Sequence, residues 1–352
     1  MAADRERMSA VDTAWLRMDR QDNLMLIIGV WILDEPLAFE RFRAVIAERF
    51  MQFERFRYRP VDDLAGARWE VDHDFDLDAH VTRAALPAPA GKAELEALVS
   101  ELAGTSLDPR RPLWQFQLVE NHAAGAAVIM RIHHCYADGI ALTRVFEALT
   151  DSTREGAAPA VAPEAHASGH RRKRRRTVAS AIPGAALMQR AVAGGADWLA
   201  RLADMARHPD HAAELARHLL GASLEVVKVA SLADDPDVPL RGPLGTHKVA
   251  AWAEPLPLAE ARAVAHAVGC KINDVLMSAV AGALGRYLRE QGEDTDGLVL
   301  RAAVPVNLRD PGTAARLGNQ FGLVFLDLPV GIGDPLRRLQ AVAANMAGLK
   351  GS

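Results

Sequence analysis

The chain lacks several features that would place a protein in a class at once. It has only two cysteines, Cys135 and Cys270, and neither lies in a CxxC pair or at a metal-ligand spacing. This excludes a disulfide framework and favours a reducing compartment, the cytosol. With 41 Lys and Arg against 45 Asp and Glu, the basic excess of a dedicated nucleic-acid binder is also missing, so we expect no nucleic-acid partner.

Long apolar runs are missing as well. No uninterrupted apolar stretch reaches the roughly 20 residues that a membrane-spanning helix needs. The N-terminal residues MAADRERMSAVDTAW mix both charges, which is unlike a secretory signal. We therefore expect any membrane contact to be peripheral. The hydrophobic share of 50% over 352 residues still supplies sizeable cores, which excludes a disordered protein.

Hydrophobic patterning predicts a mixed α and β segment over the first 150 residues. The predicted strands are a buried one at 24–33, one beginning near Trp114, and one at 126–132. The predicted helices are one with apolar positions from Phe39 to Phe50, one at 93–103, and one at 139–149 with Ile140, Val145 and Leu149 on one side.

The composition changes beyond residue 150. Residues 151–184 are rich in Ala, Pro, Ser, Gly and His and contain the run RRKRRR at 171–176, which is typical of a flexible linker. Residues 185–232 predict one or two long helices. A second mixed segment follows, with predicted strands at 247–255, 298–304 and 321–328 and predicted helices at 258–268 and 272–290.

The segment MRIHHCYADGI, residues 130–140, carries the clearest chemical signal. A strand brings His133 and His134 to its end, and Asp138 is suited to cap the next helix. Histidine has the side-chain pKa closest to neutrality, so it suits the removal of a proton from a hydroxyl that attacks an activated acyl group. A partly buried structural histidine pair with Asp138 as a cap explains the same residues equally well.

Two other chemistries are disfavoured at this segment. Adjacent strand residues point to opposite faces, so His133, His134 and Asp138 would rarely share one metal ion, and we expect no metal site. No GxSxG motif occurs, and Cys135 is expected to be a small packing residue rather than a nucleophile. Direct attack by a bound hydroxyl, with a histidine as base, is favoured.

The segment HHCYADG at 133–139 matches the HHxxxDG motif of the acyl-CoA-dependent acyltransferase superfamily, which includes chloramphenicol acetyltransferase-like enzymes and peptide-synthetase condensation domains. Further segments narrow the resemblance: SAVDTAWLRMD at 9–19, LDPRRPLWQFQLVE at 107–120, KINDVLMSAVAGALGRYL at 271–288, VPVNLRD at 304–310 and GNQFGLVFLDLPV at 318–330. Together the chain resembles the bacterial wax ester synthase/acyl-CoA:diacylglycerol acyltransferase family.

The resemblance implies an α/β (α+β) fold of two chloramphenicol acetyltransferase-like lobes, each a mixed sheet with helices, joined by a linker. The expected domains are an N-terminal lobe at 1–150, a basic linker at 151–184, and connecting helices with a C-terminal lobe at 185–352. Family members usually continue past the point where this sequence stops, so the second lobe is expected to be incomplete.

The resemblance also implies transfer of a long-chain acyl group from acyl-CoA, a co-substrate, to diacylglycerol or a fatty alcohol, with no further cofactor. By that analogy His134 is the general base and His133 supports the site. Asp138 would hold the loop through an ionic contact to an arginine, for which Arg309 is one candidate. Gly139 would permit the tight turn into the helix.

Two further motifs are candidates for substrate binding. Asn273 and Asp274 match the family's ND motif, whose position implies that the second lobe lines the same tunnel. A helix N-terminus with Asn273 as its cap explains these two residues equally well. The PLW motif comprises Pro112, Leu113 and Trp114, for which a rigid turn with a buried Trp is the simplest role.

The expected partners are long-chain acyl-CoA, an acceptor lipid, and a membrane or lipid-droplet surface in the cytoplasm. The run at 171–176 is suited to anionic lipid surfaces, at about 1 kcal/mol per basic residue, although a solvated linker explains it too. Two alternatives remain: a condensation-domain-like enzyme that forms amides, and a non-catalytic relative that binds lipid or membrane.

Overall fold

A computed structural model describes residues 5–64, 66–151, 235–307 and 317–349. The chain divides into two units. Unit 1 comprises Met1–Thr177, Leu244–Trp252 and Asn307–Gln320, and unit 2 comprises Val178–Pro243, Ala253–Val306 and Phe321–Ser352. Nearly all of the predicted linker, including its basic run, and the predicted helices at 185–232 lie outside the described residues.

Unit 1 contains two sheets, four α-helices and three short 3-10 helices (Phe50–Gln52, Glu54–Arg57 and Leu77–Ala79) among its described residues. The strands are β1 (Arg5–Arg7), β2 (Leu26–Leu33), β3 (Tyr58–Asp63), β4 (Gly66–Val71), β5 (Val81–Ala84), β6 (Trp114–Val119) and β7 (Ala126–His133). The helices are α1 (Ala10–Met18), α2 (Phe39–Glu48), α3 (Lys92–Ala103) and α4 (Gly139–Leu149). One sheet has the order β1-β4-β3 and is antiparallel. The other has the order β2-β7-β6-β5 and is mixed, because only β5 and β6 run parallel.

Strand β7 positions the candidate site. All eight of its residues are buried, because the strand lies between β2 and β6 and packs on both faces. Ala127 and Ile129 pack with the apolar side of α3, whereas Met130 and Ile132 join a larger aromatic cluster on the opposite face. Burial on both faces explains why residues 126–130 of the strand are all apolar. The strand ends at His133, so its register fixes where the histidine pair begins.

Unit 2 is described as helices packed with a pair of strands. Its elements are α5 (Leu258–Val268), α6 (Ile272–Glu290), β8 (Leu300–Asn307), β9 (Phe321–Leu328) and α7 (Pro335–Gly348), and β8 pairs with β9. Within the described ranges, no single helix is long and apolar enough to cross a membrane. The pair α5 and α6, bent by 100°, meets the length and composition criteria when the two are taken together.

Several predicted elements coincide with the structure. The helices predicted at 139–149, 258–268 and 272–290 and the strand predicted at 321–328 have the observed bounds. The helix predicted at 93–103 begins one residue earlier, and the strand predicted at 298–304 is observed at 300–307. These elements have strong apolar periodicity or clear flanking breakers, which are the features that specify them locally.

Three predictions about individual elements are wrong. The strand at 24–33 is not buried: β2 is an edge strand of its sheet, and Ile32 is 53% exposed. Residues 247–255 form no strand, because the main-chain N–H groups of Ala250 and Trp252 donate to side chains of α3 instead. The buried face of α4 consists of Ala141, Leu142, Val145 and Ala148, whereas Ile140 is exposed.

Candidate active site

The corner between β7 and α4 carries the histidine pair. The main-chain N–H of His134 donates to the carbonyl of Met25 at 2.7 Å, and that of Tyr136 donates to the carbonyl of His133 at 3.1 Å. The chain therefore turns tightly as it leaves the strand. Asp138 caps α4, because its Oδ1 accepts from the N–H of Ala141 at 3.0 Å. The predicted capping role is confirmed.

A distant segment of the sequence, residues 318–320, lies along this corner. Ala137 and Gly318 form a parallel β-bridge, and the N–H of Gln320 donates to Oδ2 of Asp138 at 2.9 Å. Gly318 has φ +119°, a conformation that other residues rarely adopt. Asp138 thus joins the corner to this segment as well as to its own helix. The proposed partner Arg309 lies outside the described residues.

Gly139 was expected to permit the tight turn into α4, but the turn does not depend on it. As the first residue of α4 it has no left-handed backbone conformation, and a Cβ built there would meet nothing within 4 Å. The turn therefore does not require glycine at this position, which corrects the explanation offered from the sequence. An involvement of Gly139 in catalysis stays a prediction.

His134 is half-buried against α1 and residue 319. Its ring stacks on Trp15, with ring centroids 4.0 Å apart and planes 14° apart. Its Nδ1 lies 3.1 Å from Oδ1 of Asn319. The Nδ2 group of Asn319 donates to the carbonyl of His134 at 2.8 Å and to Oδ1 of Asp12 at 2.8 Å. Two side chains outside the HHxxxDG segment, those of Trp15 and Asn319, therefore contact this imidazole, and Asp12 holds Asn319 in turn.

Burial lowers the pKa of His134 below the ordinary histidine value, because the protein surroundings solvate the imidazolium less well than water does. Hydrogen bonds with its own main chain and with Asn319, and the charge of Asp138, oppose this effect without cancelling it. His134 is accordingly neutral at pH 7. A neutral imidazole can accept a proton, which is what a general base must do.

His133 is more deeply buried than His134 and has different contacts. It is 2% exposed, and its Nδ1 accepts from the N–H of Cys135 at 3.1 Å. Its Nε2 lies 3.7 Å from Oδ1 of Asp19, within ion-pair distance and beyond a good hydrogen bond. Burial raises the pKa of Asp19, but its contacts with His133 and with the N–H of Met25 outweigh burial and lower it. Support of the site by His133 stays a prediction.

Cys135 is fully buried in the main core of unit 1. Burial raises the pKa of its thiol well above the ordinary value, so the thiolate needed for nucleophilic attack is not formed at neutral pH. The sequence-based interpretation of Cys135 as a packing residue agrees with this environment.

The PLW segment is part of the aromatic core of unit 1. The N–H of Leu113 donates to the hydroxyl of Tyr136 at 3.0 Å, and Nε1 of Trp114 donates to the carbonyl of Phe56 at 2.7 Å. Trp114 is 1% exposed, and Pro112 is buried beside it. These contacts give the PLW segment a structural role, which agrees with the simplest interpretation of the sequence. Substrate binding by its residues stays a prediction.

The ND motif lies in unit 2, at the start of α6. The N-cap residue is Lys271, and Oδ2 of the buried Asp274 reaches back to accept its N–H at 2.8 Å. The prediction of Asn273 as the cap is therefore wrong, because Asp274 supplies the capping oxygen and Asn273 is exposed. A role of the two residues in lining a substrate tunnel stays a prediction.

Asp12, Trp15 and Asn319 were not predicted as site residues from the sequence. Each lies in a segment that carries the family resemblance, SAVDTAWLRMD or GNQFGLVFLDLPV, but no spacing links either segment to the histidine pair. In the part of the chain that the structure describes, no group of three or more His, Cys, Asp or Glu side chains is placed to hold a metal ion.

Family profiles match most of the chain. The profile described as wax ester synthase/diacylglycerol acyltransferase catalytic domain matches residues 8–276, and that of the C-terminal domain of the same family matches residues 317–352. A probable diacylglycerol O-acyltransferase of Mycobacterium tuberculosis is 29% identical over 351 residues, which cover 97% of this chain and 71% of that protein. A second M. tuberculosis protein with a diacylglycerol O-acyltransferase name is 30% identical over 347 residues, covering 95% of this chain and 70% of its own length.

Solved structures with similar folds have lower sequence identity. Wax ester synthase/diacylglycerol acyltransferase from Marinobacter aquaeolei VT8 has a TM-score of 0.62 at 21% identity, over 98% of this chain and 71% of that one. The first condensation domain of the calcium-dependent antibiotic synthetase has a TM-score of 0.57 at 17% identity, over 99% and 75%. These likenesses confirm the predicted α/β fold of the chloramphenicol acetyltransferase type.

Proposed function

Because the chain belongs to the wax ester synthase/diacylglycerol acyltransferase family, we propose that it transfers a long-chain acyl group from acyl-CoA to diacylglycerol, with His134 as general base. The observation that carries the proposal is the environment of His134. Its ring is half-buried, stacked on Trp15 and held at Nδ1 by Asn319, and its lowered pKa keeps it neutral at pH 7.

In the proposed reaction, the acceptor hydroxyl attacks the thioester carbonyl carbon while His134 takes the hydroxyl proton. The tetrahedral intermediate then collapses. Its C–S bond breaks, the new ester is released, and the CoA sulfur receives the proton from the imidazolium. No covalent acyl-enzyme is needed, which agrees with the buried, protonated Cys135. Acyl-CoA is the donor, and we propose no further cofactor.

His134 is a better candidate for the base than its neighbour. His133 is buried and already accepts the N–H of Cys135, so it has no route to a substrate hydroxyl without loss of that contact. His134 keeps part of its ring accessible. A general base must reach the proton that it removes, and this favours the second histidine.

Diacylglycerol is the preferred acceptor because the M. tuberculosis relatives carry that activity in their names. A long-chain alcohol is the second candidate, since the family description and the Marinobacter protein's name include wax ester synthase. The condensation domain shares only the fold at 17% identity, so amide formation has weaker support.

We further propose that the protein works at a membrane or lipid-droplet surface in the cytoplasm. Diacylglycerol and long-chain alcohols partition into such surfaces, so an enzyme that uses them gains from attachment. The six basic residues at 171–176 would contribute about 1 kcal/mol each near an anionic surface. A vesicle-flotation assay with and without anionic lipid tests this point, and equal flotation on neutral vesicles would contradict the electrostatic part.

The acceptor is tested by offering oleoyl-CoA with dioleoylglycerol, hexadecanol or hexadecylamine in parallel. Release of free CoA thiol and the lipid product are both followed. We expect triacylglycerol as the main product and no requirement for a carrier-protein thioester. Wax ester in excess of triacylglycerol would reverse the order of the two acceptors, and amide as the main product would contradict the proposal. Vesicle binding without any thiol release would instead support the non-catalytic alternative.

A further inference from the structure

We infer that Asp12 and Asn319 are positioning residues that hold the imidazole proton of His134 on Nδ1 and so leave Nε2 as the basic atom. The inference deepens the proposed function and rests on it. It assigns a role to two segments, one near each end of the chain, that the HHxxxDG motif does not contain. Neither residue needs to touch a substrate for this role.

The contacts of the Asn319 side-chain amide fix its orientation. Its Nδ2 faces two oxygens, the carbonyl of His134 and Oδ1 of Asp12, each at 2.8 Å. A main-chain carbonyl cannot donate, so the amide nitrogen must be on this side. The main-chain N–H of Asn319 also donates to the same Asp12 oxygen at 3.3 Å. The amide oxygen is thereby directed at the imidazole.

This orientation of the amide determines the tautomer of His134. An amide oxygen only accepts hydrogen bonds, and Oδ1 of Asn319 lies 3.1 Å from Nδ1 of His134. Nδ1 must therefore carry the proton, and Nε2 of the neutral ring keeps its lone pair. The adjacent His133 has the opposite arrangement, because its Nδ1 accepts from the N–H of Cys135. Of this pair, only His134 offers a basic Nε2.

The residues that hold the His134 ring are themselves fixed by burial and by helix α1. Asp12 and Asn319 are both buried. Asp12 lies in the first turn of α1, which Ser9 caps by accepting the N–H of Asp12 on its Oγ at 3.1 Å. Trp15, one turn later, stacks on the imidazole. Helix α1 therefore supplies both the anchor for the Asn319 amide and the surface on which the ring lies.

The test is the 15N NMR spectrum of histidine-labelled protein, with the His134 signals identified by their loss in His134→Ala. In the wild-type protein we expect a protonated Nδ1 and an unprotonated Nε2. In Asn319→Ala the side-chain acceptor of Nδ1 is gone and only the hydrogen bond with the main chain of His134 itself remains, so we expect the spectrum to move toward the Nε2-protonated form. A wild-type spectrum with the proton on Nε2 would overturn the inference, and this result needs no variant to fold.

Turnover supplies the second readout. We expect Asn319→Ala and Asp12→Ala to lower kcat by about 10²-fold, the size of effect that a misplaced catalytic group produces, with the KM for acyl-CoA little changed. Asp12→Asn should recover most of the loss, because its amide oxygen can still accept from Asn319. The control is Asn121→Ala. The side-chain amide of Asn121 accepts from the N–H of Leu86 and donates to its carbonyl, so this variant loses a comparable pair of hydrogen bonds and should keep the wild-type kcat.

The two readouts separate the inference from the function it rests on. A wild-type protein with the Nδ1 proton, lost in Asn319→Ala, but without acyl transfer would support the positioning role and contradict the proposed function. Acyl transfer that Asn319→Ala leaves at the wild-type kcat would overturn the positioning role and leave the function standing. A fall in kcat equal to that of Asn121→Ala would also overturn it, because general loss of structure would then explain the effect.

Discussion

Among the described residues, two main-chain N–H groups donate to the buried carboxylate of Asp138, and the substitution Asp138→Asn removes one of these two hydrogen bonds. Oδ1 accepts from the N–H of Ala141 at 3.0 Å and Oδ2 from that of Gln320 at 2.9 Å. An asparagine amide has a single acceptor oxygen, so its NH₂ group would face one of these two donors. When the oxygen faces Ala141 the helix cap survives, because asparagine caps helices about as well as aspartate. Gln320 then loses its acceptor.

Gln320 is exposed and its hydrogen bond to Asp138 is partly buried, so its loss should cost about 1.5 kcal/mol, the lower end for a hydrogen bond to a charged group. We therefore expect the free energy of unfolding of Asp138→Asn to fall by that amount, measured by urea unfolding followed by circular dichroism. The matched control is Asp334→Asn. Asp334 caps α7 by accepting the N–H of Arg337 at 2.7 Å from an exposed position, so its substitution should cost no more than about 0.5 kcal/mol. Equal losses in the two variants would refute the reasoning.

The same substitution should also lower turnover by the folded protein. Gln320 directly follows Asn319, so release of its N–H loosens the segment that holds the His134 ring. We expect kcat to fall in Asp138→Asn below its unfolding temperature and to stay at the wild-type value in Asp334→Asn. A destabilised Asp138→Asn protein with unchanged kcat would show that this contact serves stability alone.

Three further predictions concern single groups. Burial lowers the pKa of His134, and a histidine can act as a base only when it is neutral. The acid limb of the pH profile of kcat/KM should therefore lie below the ordinary histidine pKa of about 6.5. An acid limb at or above that pH would contradict the assignment of His134 as the base. Gly139→Ala should leave the free energy of unfolding unchanged or raise it by up to about 1 kcal/mol, since the added methyl group meets nothing within 4 Å; a loss above that size in urea unfolding would show that the turn needs glycine. A thiol reagent should modify the partly exposed Cys270 in the native protein and the buried Cys135 only after unfolding, and rapid modification of both thiols in the native protein would refute this.

The sequence was sufficient to predict those helices and strands whose apolar residues are regularly spaced. Helix α6 and strand β9 have their predicted bounds because their own residues carry the pattern. The predicted strand at 247–255 is wrong for a physical reason: Ser100 and Glu96 of α3 accept its N–H groups, so no neighbouring strand is required. Side-chain acceptors so distant in the sequence give no local signal.

Only part of the candidate site could be predicted from the sequence. The histidine pair and the Asp138 cap were predictable, because they lie within six residues at a strand-to-helix corner. Asp12 and Asn319 were not, since 307 positions separate them and only the fold brings their side chains into hydrogen-bond contact. The second partner of Asp138 is a main-chain N–H, which every residue type except proline offers, so no sequence pattern marks it.

The most direct test of the central claim is the turnover of His134→Ala with oleoyl-CoA and dioleoylglycerol, measured beside wild type and a His247→Ala control. His247 is an exposed histidine of unit 1, so its substitution should leave kcat unchanged. If His134 is the general base, kcat should fall by about 10²- to 10⁴-fold, while oleoyl-CoA binding stays close to wild type and urea unfolding shows that the variant is folded under the assay conditions. Wild-type turnover by a folded His134→Ala protein would contradict the assignment of His134 as the base.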